Sequence, residues 1–251
     1  MRPEVVSQLL GVNQRFYEEF GEAFAETRQR IQPGVRRVLA YVPLEASCLD
    51  LGCGSGSLAV TWVRQERSGL YLGVDASSTL LAAARHALQE AGPLPSARVG
   101  FLQADLAEAG WEHALPTRRW DVVCAFAMLH HFPGGDSRQR LVSQVHGLLS
   151  AGGLFILSTW QFLRSPKLRG RCQPWSLVGL TEDAVDEGDY LLDWRHVLKG
   201  EPPRQGLRYV HAFSEEEWEA LRAAAGFSLV ERFDSDGERG DLSTYQVWRV
   251  A

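Results

Sequence analysis

A glycine-rich loop joins the first predicted strand of the chain to the helix that follows it. Its sequence is Asp50-Leu51-Gly52-Cys53-Gly54-Ser55-Gly56. Glycines at such a junction allow the main chain to approach a ligand closely, and the first turn of the helix presents unpaired N–H groups to an anion. The loop therefore predicts a ligand-binding site at the carboxyl end of this strand.

From residue 47 onward, short apolar strands alternate with amphipathic helices. The predicted strands cover residues 48–51, 70–74, 99–102, 120–126 and 154–158. Ser77 is placed to cap one of the intervening helices, and Gly152-Gly153 are predicted to end another. Such alternation is typical of an α/β fold, with helices on both faces of a doubly wound parallel sheet.

The last two predicted strands, residues 227–230 and 244–248, are joined by turn-forming residues. Asp236-Gly237 lies in the connection, so the pattern predicts an antiparallel hairpin. The spacing of Ser214 and Glu217 forms a capping box, which predicts a helix immediately before the hairpin.

Residues 1–45 are predicted to form helices that precede the sheet. One helical face carries Val5, Leu9, Val12, Phe16 and Phe20. A second helix is predicted around residues 23–28, and a third is predicted to begin at Pro33-Gly34, where the second one stops.

Residues 160–212 interrupt the alternation of strands and helices. They are rich in tryptophan and arginine and have little clear periodicity, so we interpret them as an insertion that covers one end of the sheet. The chain of 251 residues is then expected to form a single domain. Its parts are N-terminal helices (1–45), a core (46–158 and 213–251) and an insertion on the substrate side (159–212).

The charge balance argues against a general attraction to nucleic acid. Lys and Arg number 26 against 31 Asp and Glu, which gives a net charge of −5. DNA is therefore not expected as a partner, and an RNA partner requires a local basic patch. Residues 161–175 provide one, because they contain Arg164, Lys167, Arg169 and Arg171 and no acidic side chain.

Neither a membrane nor an extracellular location is expected. The longest mostly apolar run, residues 154–163, is about half as long as a bilayer-spanning helix, and residues 1–4 lead into a segment without the apolar core of a secretory signal. The cysteines are Cys48, Cys53, Cys124 and Cys172. None forms a C-x-x-C pair, so no bound metal is expected, and scattered cysteines of this kind are typical of the reducing cytoplasm. Cys48, Cys53 and Cys124 lie in or beside apolar runs and are expected to be buried.

Two aspartates follow later strands and narrow the choice of ligand. Asp75 lies 19 residues after Gly56, at the end of the second strand, where a carboxylate is able to accept hydrogen bonds from both ribose hydroxyls. Asp105 ends the third strand, within reach of an adenine amino group. Ser57 stands where a dinucleotide fingerprint requires glycine or alanine, which favours a nucleoside without a pyrophosphate. The alternative is that the glycines only form a tight turn and the aspartates only cap helices.

The loop, Asp75, Asp105, the strand 121–126 and residues 148–153 together resemble the ordered motifs of the class I S-adenosylmethionine-dependent methyltransferases. The resemblance implies a Rossmann-like, seven-stranded, mostly parallel sheet whose last strand is antiparallel. It also implies S-adenosylmethionine as cofactor and S-adenosylhomocysteine as product. The cofactor contacts that it implies are Asp50, Gly52, Cys53, Gly54, Gly56, Asp75, Ala76, Ala104, Asp105, Leu106 and Phe126.

A second set of motifs lies mainly outside this core. They are Thr27-Arg28, His130-His131-Phe132, Ser158-Thr159-Trp160, residues 188–194 and residues 207–213. In this order they resemble the tRNA wobble-uridine carboxymethyl methyltransferases, a family that includes the methyltransferase domain of the eukaryotic AlkB-homologue protein. The resemblance implies tRNA as partner, esterification of 5-carboxymethyluridine at the wobble position, and often a small zinc-binding activator protein along a sheet edge.

A carboxylate acceptor suits the residues in these motifs. The candidate catalytic residues are Arg28, His130, His131, Trp160, Asp189, Arg208 and Tyr209. A carboxylate is ionised at neutral pH and needs no strong general base, and either arginine is suited to bind and orient it. Trp160 and Tyr209 are candidates to stack on the base, and the histidines are candidates to position the acceptor or carry a proton.

Other interpretations stay open at this point. Surface salt bridges are an ordinary role for the two arginines, and packing beneath the insertion is an ordinary role for Tyr209. The chain is also compatible with a small-molecule O- or N-methyltransferase that uses residues 160–212 as a lid. A third alternative is a non-catalytic scaffold that binds S-adenosylmethionine, because the fold alone does not identify the substrate.

Overall fold

The computed structural model describes residues 1–26, 30–92, 98–116, 119–196 and 204–251. Within these ranges the α-helices are α1 (Pro3–Glu26), α2 (Pro33–Val38), α3 (Ser57–Arg64), α4 (Ser78–Glu90), α5 (Gly135–Leu148), α6 (Pro166–Arg169) and α7 (Glu215–Ala224). The strands are β1 (Cys48–Leu51), β2 (Tyr71–Asp75), β3 (Val99–Gln103), β4 (Trp120–Phe126), β5 (Leu149–Trp160), β6 (Cys172–Gln173), β7 (Asp189–His196), β8 (Arg204–His211), β9 (Phe227–Ser235) and β10 (Ser243–Val250).

Seven strands form the central sheet, in the order β3-β2-β1-β4-β5-β10-β9. The five strands from β1 to β5 are parallel, with Leu49 of β1 opposite Leu72 on one side and opposite Val123 on the other. β10 runs antiparallel to both of its neighbours, β5 and β9. The α/β class, the mostly parallel sheet and the antiparallel last strand that the sequence predicts are therefore confirmed.

Apolar layers cover both faces of this sheet. One layer includes Trp218 and Leu221 of α7, and the other includes Val38 of α2 and Trp62 of α3. Because helices lie on both faces, all four residues of β1 are buried. The carboxyl ends of the parallel strands are then the natural place for a ligand site.

α1 is one continuous helix, whereas the sequence predicts two helices before Pro33. The five apolar residues on its predicted face are all buried. The helix continues to Glu26 because it packs in two places, against β8 and, near Gly21, against α4. Of the helices in the described ranges, none combines the length and the apolar character that crossing a bilayer requires.

The end of α5 also differs from the prediction. α5 ends at Leu148, and β5 begins at the next residue and runs through Gly152-Gly153. A Cβ atom at Gly153 would lie 2.8 Å from the carbonyl oxygen of Ser150. This glycine pair therefore allows a close approach of main chain inside the strand, and it does not end the helix.

Residues 160–212 contain a second sheet, which the sequence does not predict. Its strand order is β6-β7-β8, and all neighbouring strands are antiparallel. β7 pairs with β8 along its whole length, from Asp189 opposite His211 to His196 opposite Arg204. The insertion is thus a regular element that extends the molecule beyond the central sheet.

Both faces of this second sheet are covered. Tyr209 of β8 packs with Leu191 and with apolar residues of α1. The next residue, Val210, packs on the opposite face with Leu192 and Phe162. Because both faces are buried, the strands lack the alternation of polar and apolar residues by which a strand is recognised in a sequence.

Replacing Gly206 by alanine is expected to force α1 away from β8. A Cβ atom at this position would lie 2.6 Å from Phe16 Cδ2 and 2.7 Å from Phe20 Cε2. We expect Gly206→Ala to lower the free energy of unfolding by about 1–3 kcal/mol in a urea titration. Gly147→Ala is the control, because a Cβ atom there meets nothing within 4 Å, and it should be neutral or stabilise by up to about 1 kcal/mol. Equal effects of the two substitutions would contradict this account.

Candidate active site

The glycines of the loop after β1 have left-handed main-chain conformations, with φ of +70° at Gly52, +54° at Gly54 and +77° at Gly56. A Cβ atom at Gly52 would lie 2.6 Å from Met128 Cγ, and one at Gly56 would lie 2.8 Å from Ala84 Cβ. At Gly54 a Cβ atom would meet nothing within 4 Å. Packing therefore requires the outer two glycines, whereas the main chain at Gly54 borders open space in which a ligand can lie.

Asp75 ties this loop to the end of β2. Its Oδ2 accepts the N–H of Gly54 at 2.9 Å, and its Oδ1 accepts the N–H of Ser77 at 2.9 Å. Burial raises the pKa of Asp75, while the N–H groups of Ser77, Gly54 and Ala76 oppose that rise. Each carboxylate oxygen keeps a second lone pair, so the geometry fits the predicted acceptance of two ribose hydroxyls.

The carboxyl group of Asp50 lies beneath the loop. Asp50 is 3% exposed, and its Oδ2 accepts a hydrogen bond from the Tyr71 hydroxyl at 2.5 Å. Burial raises the pKa of Asp50 to about 7, the bond from Tyr71 lowers it, and the charge of Asp75 adds to the rise. Its enclosure suits a group that supports the loop from below, and a direct side-chain contact with the cofactor does not fit it.

Cys53 is buried within the loop, as its apolar surroundings predict. Its Sγ lies 3.9 Å from the carbonyl oxygen of Gly54. Burial raises the pKa of this thiol well above its usual value, so it stays protonated and unsuited to a nucleophilic role. Cys48 and Cys124 are also buried in the core, where their sulphur atoms lie 3.8 Å apart.

The segment after β3 lies beside the end of β2. The N–H of Ala104 donates to the carbonyl oxygen of Asp75 at 3.2 Å. Asp105 is exposed and caps its own turn, because its Oδ1 accepts the N–H of Ala107 at 2.9 Å. Leu106 is buried behind this turn. The predicted residues at the end of β3 are therefore next to Asp75, with the carboxylate of Asp105 open to solvent.

The segment after β4 turns towards β5. Phe126 is half-buried at the end of β4, and Ala127 follows with φ of +50°. The N–H of Ala127 donates to both Oγ and the carbonyl oxygen of Ser158, each at 3.0 Å. Met128 then packs against Gly52, so the ends of β1 and β4 meet. The open space at Gly54 and the lone pairs of Asp75 beside it fit S-adenosylmethionine.

Arg208 carries a buried guanidinium in aromatic surroundings. It is 4% exposed, and its Cζ lies 4.9 Å from the ring centre of Phe16 and 5.5 Å from that of Trp160. Trp194 packs edge-on against Phe16, with the two ring centres 5.6 Å apart. Trp160 ends β5, so this cation lies at the carboxyl edge of the sheet. The other predicted arginine, Arg28, lies outside the described residues.

The two histidines after β4 have different surroundings. His130 is 2% exposed, and its ring centre lies 4.3 Å from that of His131. Nδ1 of His131 lies 3.1 Å from the carbonyl oxygen of Tyr209, and Nε2 lies 3.2 Å from the Tyr17 hydroxyl. A carbonyl only accepts, so a hydrogen bond to Tyr209 requires a proton on Nδ1, whereas the Tyr17 hydroxyl can either donate to Nε2 or accept from it. His131 thus links α1 and β8 to the segment after β4, and its role as proton carrier stays a prediction.

Tyr209 and Asp189 belong to a buried polar chain on the other face of β8 from the guanidinium. The Tyr209 hydroxyl donates to Asp189 Oδ1 at 2.6 Å, and His211 Nδ1 lies 2.7 Å from the same oxygen. His211 Nε2 lies 2.6 Å from Glu217 Oε2, and Arg138 Nη2 lies 2.7 Å from Glu217 Oε1. Tyr209 has no exposed surface, so the predicted base stacking does not fit. The carboxylate of Asp189 also accepts the main-chain N–H of Asp186 at 3.0 Å, so its contacts lie on the face of β8 opposite the guanidinium of Arg208.

The charges in this polar chain stabilise one another. Burial disfavours a charged His211, but the carboxylates of Asp189 and Glu217 outweigh burial and raise its pKa. Burial also disfavours a charged Glu217, but His211 and Arg138 hold the pKa of Glu217 below its usual value. Ser214 Oγ accepts the N–H of Glu217 at 3.1 Å as the capping box predicts, whereas the Glu217 carboxylate turns to its two charged partners. No sequence pattern assigns a role to Arg138 or to His211, although His211 lies in the motif of residues 207–213.

The predicted basic patch has four basic residues, and one of them is paired within the protein. Arg164 pairs with Asp234 at 2.6 Å and donates to the carbonyl oxygen of Asp241 at 3.2 Å. It therefore fastens the insertion to the β9–β10 hairpin. Lys167 and Arg169 are exposed on α6, and Arg171 is half-buried just after it. These three residues of the predicted patch can contact a polyanion.

The burial of Asp50 generates a prediction about pH and stability. Its pKa rises from 3.8 to about 7 on folding, so the folded state binds this proton more tightly than the unfolded state. The contribution to stability is fully present below pH 3.8 and is lost as the pH rises through about 7. Relative to Asp50→Asn, we expect the free energy of unfolding to fall by roughly 1 kcal/mol per pH unit across this window. Urea titrations at several pH values test this, with exposed Asp105→Asn as control. A pH profile that Asp50→Asn leaves unchanged would contradict the burial of this carboxyl group.

Asp75→Ala removes two acceptors for a ribose and two contacts that hold the loop. We expect it to weaken the binding of S-adenosylhomocysteine by roughly 2–4 kcal/mol in calorimetry. The matched control is Asp121→Ala. That carboxylate also accepts a main-chain N–H, from Ser47 at 2.8 Å, but it lies at the start of β4, away from the loop. Unchanged affinity in Asp75→Ala would reject the ribose assignment.

Comparison with known proteins agrees with this geometry. Residues 49–155 match a family model described as a methyltransferase domain. An S-adenosylmethionine-dependent methyltransferase from Clostridium acetobutylicum has the same fold, with a TM-score of 0.65 at 14% sequence identity. The similarity covers 94% of this chain and 99% of that one.

Two relatives with named reactions span most of the chain. The tRNA (carboxymethyluridine(34)-5-O)-methyltransferase of Schizosaccharomyces pombe is 25% identical over 88% of this chain and 90% of its own length. The trans-aconitate 2-methyltransferase of Azoarcus sp. is 29% identical over 86% of this chain and 90% of its own length. Sheet order, matched domain and relatives together indicate an S-adenosylmethionine-dependent methyltransferase with the class I fold, whose methyltransferase domain covers residues 49–155.

Proposed function

We propose that this methyltransferase transfers its methyl group to a carboxylate oxygen, and that the carboxylate belongs to 5-carboxymethyluridine at the wobble position of tRNA. The observation that carries the proposal is the buried guanidinium of Arg208 beside Trp160, where β5 ends. The planar fork of a guanidinium matches the two oxygens of a carboxylate. The ring of Trp160, whose centre lies 5.5 Å from Arg208 Cζ, borders the same place at the carboxyl edge of the central sheet.

The reaction requires positioning more than proton transfer. S-adenosylmethionine, when bound at the glycine loop, supplies a methyl group on a positively charged sulphur. A carboxylate is ionised near neutral pH, so the new C–O bond forms as the S–C bond breaks, and no proton has to be removed. Arg208 orients the carboxylate, while Phe16 and Trp160 restrict the access of water. His131 is not required as a base, which agrees with its hydrogen bonds to Tyr17 and to the main chain of Tyr209.

Two observations support a nucleic-acid acceptor. Trp160 is half-buried, so part of its ring is accessible to a base. Lys167 and Arg169 lie exposed in the insertion and can contact phosphates. The relative from Schizosaccharomyces pombe, which is named for carboxymethyluridine at position 34, adds weight because the similarity spans nearly the whole chain.

A small polycarboxylate is the second candidate acceptor. The relative from Azoarcus is named for trans-aconitate, and the net charge of −5 disfavours unaided binding of RNA. In this case residues 160–212 act as a lid over the acceptor. Both candidates carry a carboxylate, so both use Arg208 in the same role. The zinc-binding activator protein stays a prediction.

Single-turnover methylation across about pH 6 to 9 tests the carboxylate acceptor. The purified chain receives S-adenosylmethionine and either tRNA that contains 5-carboxymethyluridine or trans-aconitate. We expect a nearly flat rate, because the acceptor is already ionised, and a methyl ester that mild alkali cleaves. An amine or hydroxyl acceptor would instead give a rate that climbs through a pKa.

Arg208→Lys is expected to lower kcat/KM by about tenfold or more, because an ammonium group cannot supply the bidentate fork. The affinity for S-adenosylhomocysteine should stay unchanged. Arg239→Lys is the control, since Arg239 lies exposed and pairs with Asp241. A product methylated on nitrogen or on a sugar hydroxyl, or full activity of Arg208→Lys, would overturn the carboxylate proposal.

A further inference from the structure

Asn13 of α1 lies along the outer edge of β8. Among the strands of the described residues, β8 pairs with β7 alone, so the main-chain groups on its outer side face away from the sheet. At Tyr209, the main-chain N–H donates to Asn13 Oδ1 at 2.8 Å, and Asn13 Nδ2 donates to the carbonyl oxygen at 3.2 Å. One side-chain amide therefore pairs with both main-chain groups of a residue, as a neighbouring strand would.

The peptide group that donates to Asn13 joins Tyr209 to Arg208. Its N–H belongs to Tyr209 and its carbonyl group belongs to Arg208, so holding it fixes the main chain from which the guanidinium extends. Phe16 follows Asn13 by three residues on the same face of α1, and its ring lies 4.9 Å from the guanidinium. α1 thus holds both ends of the Arg208 residue. Asn13 binds the peptide group that follows Arg208, and Phe16 packs against its guanidinium.

Asn13 also contacts the segment after β4. Its Nδ2 lies 3.4 Å from His131 Nδ1 and 3.4 Å from the carbonyl oxygen of His131. His131 Nδ1 in turn lies 3.1 Å from the carbonyl oxygen of Tyr209. Asn13 is 6% exposed. A buried amide therefore connects the strand that carries Arg208 to the segment that leaves the carboxyl edge of the central sheet.

We propose that Asn13 is a positioning residue for methyl transfer. By pairing with the main chain of Tyr209, it sets where the guanidinium of Arg208 lies relative to the end of β4. This inference rests on the proposed function, in which Arg208 binds the acceptor carboxylate. Asn13 itself acts through Arg208. Its loss leaves the guanidinium charged but displaced, which weakens acceptor binding and spares cofactor binding.

Three variants of α1 test this role. Asn13→Leu has a similar volume and removes both hydrogen bonds, whereas Asn13→Asp keeps the acceptor for the Tyr209 N–H and loses the donor. Gln8→Leu is the matched control, because Gln8 lies on the same helix and donates to a different carbonyl group, that of Val178. The measurements are the KM for the carboxylate acceptor, kcat, the affinity for S-adenosylhomocysteine, and the exchange rate of the Tyr209 amide proton.

Asn13→Leu is expected to raise the acceptor KM by about tenfold, with the affinity for S-adenosylhomocysteine within about twofold of the wild type. The Tyr209 amide proton should exchange about tenfold faster, because its acceptor is gone. Asn13→Asp should have an intermediate effect on KM, and it carries the test if Asn13→Leu does not fold. Gln8→Leu should leave both quantities within about twofold of the wild type.

A double variant separates positioning from a general loss of stability. If Asn13 acts through Arg208, adding Asn13→Leu to Arg208→Lys should change the acceptor KM by less than about twofold. Additive effects, or faster exchange at Tyr209 with an unchanged KM, would overturn the inference. So would an unchanged exchange rate in Asn13→Leu.

The outcome also distinguishes this inference from the proposed function. A wild type that methylates neither carboxylate acceptor overturns the proposed function, and with it the part that Asn13 plays in methyl transfer. In that case the exchange rate of the Tyr209 amide still shows whether Asn13 holds the strand. An active wild type whose Asn13 variants keep the wild-type KM overturns the role of Asn13 alone.

Discussion

Consecutive side chains of a β-strand point to opposite faces, and on β8 this constraint separates the proposed acceptor site from the packing beneath it. Arg208 faces the rings of Phe16 and Trp160, and Tyr209 faces Leu191 and the aliphatic residues of α1 on the opposite side. A shift of β8 by one residue would put the phenol in the site and the guanidinium in an apolar layer. The pairing of β8 with β7 and the contacts of Tyr209 with Asn13 and Asp189 favour one register.

The buried polar chain under β8 explains how an insertion made of short strands is joined firmly to the core. It runs from the insertion through His211 to Glu217 on α7 and Arg138 on α5. Each buried charge has an opposite charge beside it, so the arrangement tolerates burial, but removal of one partner leaves the other uncompensated. This buried polar chain of side chains holds the second sheet, and therefore Arg208, at a defined place relative to the central sheet.

The two halves of the site are built in different ways. The cofactor half comes from the glycine loop and from Asp75, which follow successive strands and reach one edge because parallel strands end together. The proposed acceptor half is assembled from Phe16, Trp160 and Arg208, which belong to three separate elements. In this proposal, substrate choice depends on how α1 and the second sheet pack on a common core.

The sequence by itself determined the central sheet, the antiparallel hairpin and the cofactor loop, because local periodicity and turn residues encode them. Only the tertiary structure decided that residues 160–212 contain a sheet and that Tyr209 faces away from the guanidinium. It also decided that Glu217 directs its carboxylate to Arg138 and His211 and that Asn13 pairs with a strand 196 residues away. Each of these features depends on which distant surfaces meet, and a fully covered sheet leaves no alternating pattern from which its strands can be recognised.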